Sequence, residues 1–139
     1  MPAKCFVDTN VLIYAHDAAS GSHHDQAKAV VARLWNEGGG VISTQVLQEF
    51  AVNILKKTAS PPPPETLREW IADYLQWEVV VNDGPAVLEA LGMQARFQLS
   101  FWDALILHAA SAAQAQILYS EDLNHGQRYG SVLAQNPFR

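Results

Sequence analysis

KCFVDTNVLIYAHDA, residues 4–18, is the stretch whose reading decides the fold. Cys5-Phe6-Val7 is short, apolar and β-prone, the pattern of a strand buried on both faces. Asp8, Thr9 and Asn10 are turn and helix-capping types, so at Asp8 the chain passes from a buried strand into the helix VLIYAHDA. Capping is the ordinary use of such an Asp. A carboxylate at the end of a central strand is also partly buried, however, and that is costly without a partner. Thr9 and Asn10 are polar neighbours able to orient it.

The same junction recurs along the chain. VIST (41–44) reads as a second strand and QVLQEFAVNILKK (45–57) as a helix with Leu47, Phe50, Ala51, Ile54 and Leu55 inward and Glu49 beside that stripe. EVVV (78–81) is a third strand and QILYS (116–120) a fourth, followed by Glu121-Asp122. EDLNHGQRYG (121–130) is a polar loop, and SVLAQN (131–136) reads as a last edge strand. Between these lie helical patterns. DQAKAVVARLWNEG (25–38) has Ala27, Val30, Val31, Leu34 and Trp35 on one face and is stopped by Gly38, Gly39 and Gly40, with SGSHH (20–24) a loop before it. ETLREWIADYLQW (65–77) stripes Leu67, Trp70, Ile71, Tyr74 and Leu75, after a stiff SPPPP connection whose last prolines suit a helix start. Asn82 or Asp83 caps GPAVLEALGMQARF (84–97). SFWDALILHAASAAQA (100–115) is the most apolar helix and is expected to be central. Strands alternating with helices predict an α/β fold: one domain over residues 1–139, three layers α/β/α, with a central, mostly parallel sheet of four to five strands flanked by helices.

Composition narrows the function classes. The chain has 139 residues, 49% of them apolar and 17% charged, enough for a real core and against wholesale disorder. One cysteine excludes an internal disulfide framework and suits a reducing cytoplasm. No signal peptide or membrane-length apolar run is present, so the expectation is a cytoplasmic protein with no membrane partner. A net charge of −5 argues against coating nucleic acid by bulk charge. It leaves room for a nuclease, because divalent cations at the acids would offset most of that charge locally.

Three acids stand where strands end or helices begin, Asp8, Asp103 and one of the Glu121-Asp122 pair, and a fourth, Glu49, lies early in the helix that follows the second strand. Acids at such junctions converge on one edge of an open α/β sheet, and an all-oxygen set suits Mg²⁺ or Mn²⁺. Each acid also has an ordinary use. Ser100-Phe101-Trp102-Asp103 has capping-box spacing, Glu49 is an everyday helical Glu, and acids in loops are common. The five histidines, His16, His23, His24, His108 and His125, make no zinc pattern, and His23-His24 reads as a solvated loop. No GxGxxG, Walker or GxSxG sequence occurs. The aromatic residues fall mainly on apolar helical faces and read as core rather than as base-stacking groups.

Taken together, FVDTNVLIYAHD (6–17), VLQEF (46–50), SFWDALILHAA (100–110) and YSEDLNHGQ with GS and NPF beyond it (119–138) resemble PIN-domain proteins. Among these the likeness extends to the VapC-type toxin ribonucleases of bacterial and archaeal toxin–antitoxin pairs. The resemblance spans nearly the whole chain. It implies a PIN-like fold and a metal-dependent endoribonuclease in which Asp8, Glu49, Asp103 and Asp122 are catalytic and hold one or two Mg²⁺ ions, with Mn²⁺ as substitute. Asp122, rather than Glu121, matches the family's final acid. Asn124 to Gln127 matches as a loop-shaping segment, and Arg128 is either a phosphate contact or structural. The resemblance further implies an RNA substrate, a VapB-type antitoxin covering the acid site, and a homodimer; the helices carrying Trp35, Trp70 and Trp77 offer apolar contacts for either partner. Two other classes compete: a non-catalytic PIN-like binding module, and an aspartate-nucleophile phosphatase attacking through Asp8. The phosphatase calls for a second acid two residues on, where Asn10 stands.

Overall fold

The computed structural model describes residues 2–139. In chain order the elements are β1 (Cys5–Val7), α1 (Thr9–His16), a 3-10 turn (Ala18–Ser20), α2 (Ser22–Glu37), β2 (Gly40–Ser43), α3 (Thr44–Lys57), α4 (Pro64–Tyr74), β3 (Glu78–Val80), α5 (Gly84–Phe97), α6 (Phe101–Ala112), β4 (Ile117–Tyr119), β5 (Arg128–Tyr129) and β6 (Val132–Gln135). The strands form one sheet in the order β3-β2-β1-β4-β6-β5, parallel throughout except for the β5–β6 hairpin. β1 lies inside it, pairing Phe6 with Val41 on one side and with Leu118 on the other. From β1 the chain builds outward through β2 to β3, then returns across the sheet to β4. The strand order therefore reverses at the β1–β4 seam, where open α/β sheets leave a crevice at the carboxyl ends of their strands.

The helices divide accordingly. α1 packs on α2 and α3, and α3 on α4; α5 packs on α6, and α6 lies against β2, β4 and β6. Phe6, Val7, Val41, Ile42 and Leu118 have no exposed surface, which is what continuous apolar strands covered on both faces require. Beneath α4, Tyr74 and Trp77 sit edge to face at 5.2 Å, and Tyr74 shares a 2.7 Å hydrogen bond with His16 Nε2. Burial lowers the His16 pKa to about 4, so this imidazole is neutral. Ala86, Ala90 and Ala104 are small enough to let α5 and α6 approach closely around Leu105.

The structure departs from the expectations above in four places. The sheet has a sixth strand, because Arg128–Tyr129, inside the stretch read as a polar loop, pairs with β6. β6 is consequently interior rather than an edge, lying between β4 and β5. Ser22, His23 and His24 are the first turn of α2, not a loop: His23 packs against Phe138 at 4.5 Å, and His24 Nδ1 is 2.9 Å from the Tyr14 carbonyl. Finally, Leu55, Leu75 and Trp35 face outward (46, 58 and 41% exposed), each at the margin of its apolar stripe, while Val46 and Trp77 fill the core instead. Asp83, not Asn82, caps α5 by accepting from the Ala86 N–H. Pro64 opens α4, as a proline at a first helical position can.

Gly38 and Gly39 turn the chain into β2 at φ of +86° and +88°, and a Cβ on Gly39 would collide with the Ala3 carbonyl oxygen. Gly39→Ala is expected to lower unfolding free energy by about 1–3 kcal/mol. Gly92→Ala, on the open face of α5, should raise it by about 0.5–1 kcal/mol. Urea denaturation of the two variants checks the opposite signs.

Candidate active site

All four predicted acids line one cleft of about 200 Å³, together with Thr9, Asn10, Gln45, Asn53, Lys57 and Trp102. The elements explain the convergence. Asp8 is the first residue beyond β1 and the N-cap of α1. Glu49 lies in the second turn of α3, which starts directly from β2. Asp122 follows β4 by three residues. Asp103 is in the first turn of α6, where Ser100 Oγ accepts from the Asp103 N–H at 3.1 Å. The capping-box reading of Asp103 and its place in the cleft therefore hold together.

Hydrogen bonds link these acids across the seam. Asp8 Oδ1 accepts from the Thr9 N–H at 2.7 Å, and Asp8 Oδ2 accepts from the Ser120 hydroxyl at 2.8 Å. The same Ser120 oxygen accepts from the Asp122 N–H at 3.1 Å. The Thr9 hydroxyl donates to Glu49 Oε1 at 2.7 Å, and Asn10 Nδ2 donates to Asp122 Oδ2 at 3.0 Å. Glu121 turns the other way, accepting from the Tyr14 hydroxyl at 3.3 Å, outside the acid cleft. Thr9, Asn10 and Ser120 thus each place a carboxylate. The sequence pointed to Thr9 and Asn10 as groups orienting Asp8; the Thr9 N–H does so, but the Thr9 hydroxyl and Asn10 orient Glu49 and Asp122 instead. Ser120 gave no signal, since its use depends on a pairing 112 residues distant in the chain.

Asp8 is 5% exposed, and its pKa is pushed up to about 7. Burial is the largest cause, opposed by the Ser120 and Thr9 hydrogen bonds and reinforced by the charges of Asp122 and Glu49. Asp103 is also raised, by burial first, then by Asp122 and Glu49 against the Ser100 bond. The charges of Asp122 and Glu49 therefore act on both Asp8 and Asp103. Protein cations do not pair with these acids: the ion pair among the described residues is Lys4–Glu78, at 2.9 Å and elsewhere. Lys57 lines the cleft without pairing to an acid. Uncompensated carboxylates in an all-oxygen setting are a donor set for a hard divalent cation. Among the described residues no three of them close into a ready cage; they surround a space.

The remaining residues singled out in the sequence lie away from the cleft. Asn124 Nδ2 donates to Gln127 Oε1 at 2.8 Å and Gly126 sits at φ +82°, so this segment shapes its loop. Arg128 is on β5, outside the cleft. No helix among the described residues is long and apolar enough to cross a membrane.

The sequence model of the PIN domain matches residues 5–130. The chain belongs to the PIN-domain family. No curated protein matches it in sequence, but solved structures share its PIN fold. The VapC20 toxin of Mycobacterium tuberculosis, described as cleaving the sarcin-ricin loop, superposes with a TM-score of 0.64 at 20% identity, over 86% of this chain and 90% of that one. A toxin–antitoxin complex from Klebsiella pneumoniae gives 0.67 at 18%, over 96% and 98%. VapBC2 of Rickettsia felis, bound to a DNA fragment from its promoter, gives 0.64 at 17%, over 95% and 97%.

The raised Asp8 pKa predicts a stability signature for this PIN domain without metal. The folded state holds a proton on Asp8 that the unfolded chain releases near 3.8, so stability falls as pH rises from 3.8 to about 7. Asp8→Asn should remove that decline and be more stable than wild type above pH 7, by an amount on the order of a few kcal/mol. Thermal melts across this pH range in EDTA check it.

Proposed function

We propose that this PIN-domain protein is a metal-dependent endoribonuclease of the VapC toxin type. Asp8, Glu49, Asp103 and Asp122 hold Mg²⁺, or Mn²⁺ in its place, and RNA is the substrate. The observation that carries this reading is the set of four carboxylates, none of them ion-paired among the described residues, around one cleft at the β1–β4 switch point. The description of VapC20 as cleaving the sarcin-ricin loop supports an RNA substrate, and the toxin–antitoxin and VapBC2 descriptions support a VapB-type antitoxin. The same reading takes the protein to act as a homodimer in the cytoplasm.

A divalent cation held there lowers the pKa of water and offsets phosphate charge. The protein supplies the rest. Thr9 and Ser120 fix both Asp8 oxygens, so this carboxylate is a rigid anchor. Asn10 orients Asp122, and Thr9 orients Glu49. Glu49 or Asp122, both more open to solvent than Asp8, takes the proton of the attacking water. Lys57, at the C-terminal end of α3, places a positive charge at the cleft for a phosphodiester oxygen.

The test is cleavage of a broad RNA panel by the purified protein with Mg²⁺, with Mn²⁺ and with EDTA. Cleavage is expected only with metal. It should fall at least about a hundredfold in Asp8→Asn, Asp103→Ala and Asp122→Asn, while Glu121→Gln retains it. Metal-independent cleavage, or full activity in Asp8→Asn and Asp103→Ala, would contradict the assignment. A folded protein that neither cuts RNA nor binds metal would be a binding module.

A further inference from the structure

Trp102 is the residue beside this site that packing does not explain. The other three tryptophans belong to the aromatic packing around Tyr74. Trp102 is instead 61% exposed, and its one aromatic neighbour among the described residues is Phe101, edge-on at 5.2 Å. Its position is nevertheless set. It precedes Asp103 in the first turn of α6, a turn tied down by the Ser100 cap, and its carbonyl oxygen accepts from Gln45 Nε2 at 3.3 Å. Trp102 lines the acid cleft and also a second, adjoining slot of about 330 Å³, walled by Gln45, Gln48, Glu49, Val52 and Asn53 of α3. The two spaces adjoin, sharing Gln45, Glu49, Asn53 and Trp102 in their walls.

The chemistry of the slot is that of a base pocket. It offers an aromatic face, an aliphatic contact from Val52, and the amides of Gln48 and Asn53, which both donate and accept. Gln45, which lines both spaces, is 5% exposed, and its Oε1 is buried with no hydrogen-bond partner among the described residues. A buried orphan acceptor is costly unless a donor reaches it, and the N–H groups on the edge of a nucleobase are such donors. Base stacking on an exposed aromatic ring beside a phosphate site is how single-stranded nucleic acid is held without duplex geometry.

We propose that Trp102 stacks the base flanking the scissile phosphate, with Gln45 Oε1 accepting from that base, so that the substrate is engaged as a single strand through this one nucleotide. The proposal rests on the nuclease reading above. Trp102 is then a positioning and specificity residue, not a proton-transfer group.

Two measurements test it. In the cleavage-impaired Asp8→Asn protein, binding of a short mixed-sequence single-stranded RNA is followed by fluorescence anisotropy, with and without Trp102→Ala or Trp102→Tyr added. Removing the indole is expected to weaken binding about tenfold or more, and tyrosine to recover most of it. The sugar-phosphate chain of the same length without bases should bind equally to all three. In the otherwise native protein, Trp102→Ala should raise KM with little change in kcat, and its thermal melt should match wild type. Equal RNA affinity with and without the indole, while wild type still cleaves RNA, overturns this proposal alone. If Trp102→Ala instead disrupts self-association and leaves RNA affinity intact, the face is a protein contact and the proposal also falls. Absence of both RNA binding and RNA cleavage in the wild-type protein removes the nuclease reading and this one with it.

Discussion

A carboxylate buried at the end of a central strand is expensive, and much of this molecule is arranged around Asp8. The Ser120 hydroxyl reaches it across the β1–β4 seam, and the Thr9 N–H reaches it from the first turn of α1. These two bonds join the ends of both strands to the start of a helix through one side chain. They do not cancel the cost. Burial, together with the charges of Asp122 and Glu49, still raises the Asp8 pKa to about 7. The site is held in a state that a cation would relieve, which is a physical reason for a metal centre independent of any likeness to other proteins.

The sheet order makes that arrangement reachable. β1 pairs with β2 and β4, so the residues just past all three strands face one edge. α3 brings Glu49 from the β2 side, and the chain after β4 brings Asp122 from the other. α6 is the exception, since no strand leads directly into it. It reaches the same edge by packing its apolar length on the sheet, with Ala109, Ala110 and Leu107 buried.

Much of this was legible in the sequence because it is local. Cys5–Val7 is too apolar and too short to be anything but a buried strand, and Ser100 to Asp103 carries a helix start in its spacing. Asp8, Asp103 and the Glu121-Asp122 pair stood out because they sit at junctions, and Glu49 because it follows one closely. What escaped depends on contacts between distant segments. Arg128–Tyr129 looks like loop because two residues carry no periodicity; only β6 makes them a strand. The choice between Glu121 and Asp122 turned on family likeness in the sequence, and in space on Tyr14 and Asn10 drawing the two side chains apart. Trp102 reads as one more apolar residue of an apolar helix, and its 61% exposure is a product of tertiary packing that helical periodicity does not encode.

Asp8 is thus a buried carboxyl whose pKa is pushed up to about 7, and it is the group in the cleft that a bound cation would affect most. The direct measurement is the titration of the Asp8 side-chain carboxyl carbon by NMR in carbon-13-labelled protein, first in EDTA and then in saturating Mg²⁺. The predicted midpoint lies near 7 without metal and falls well below the ordinary carboxylate range when Mg²⁺ is present. A midpoint near 4 in EDTA, or one that Mg²⁺ leaves where it was, would contradict it.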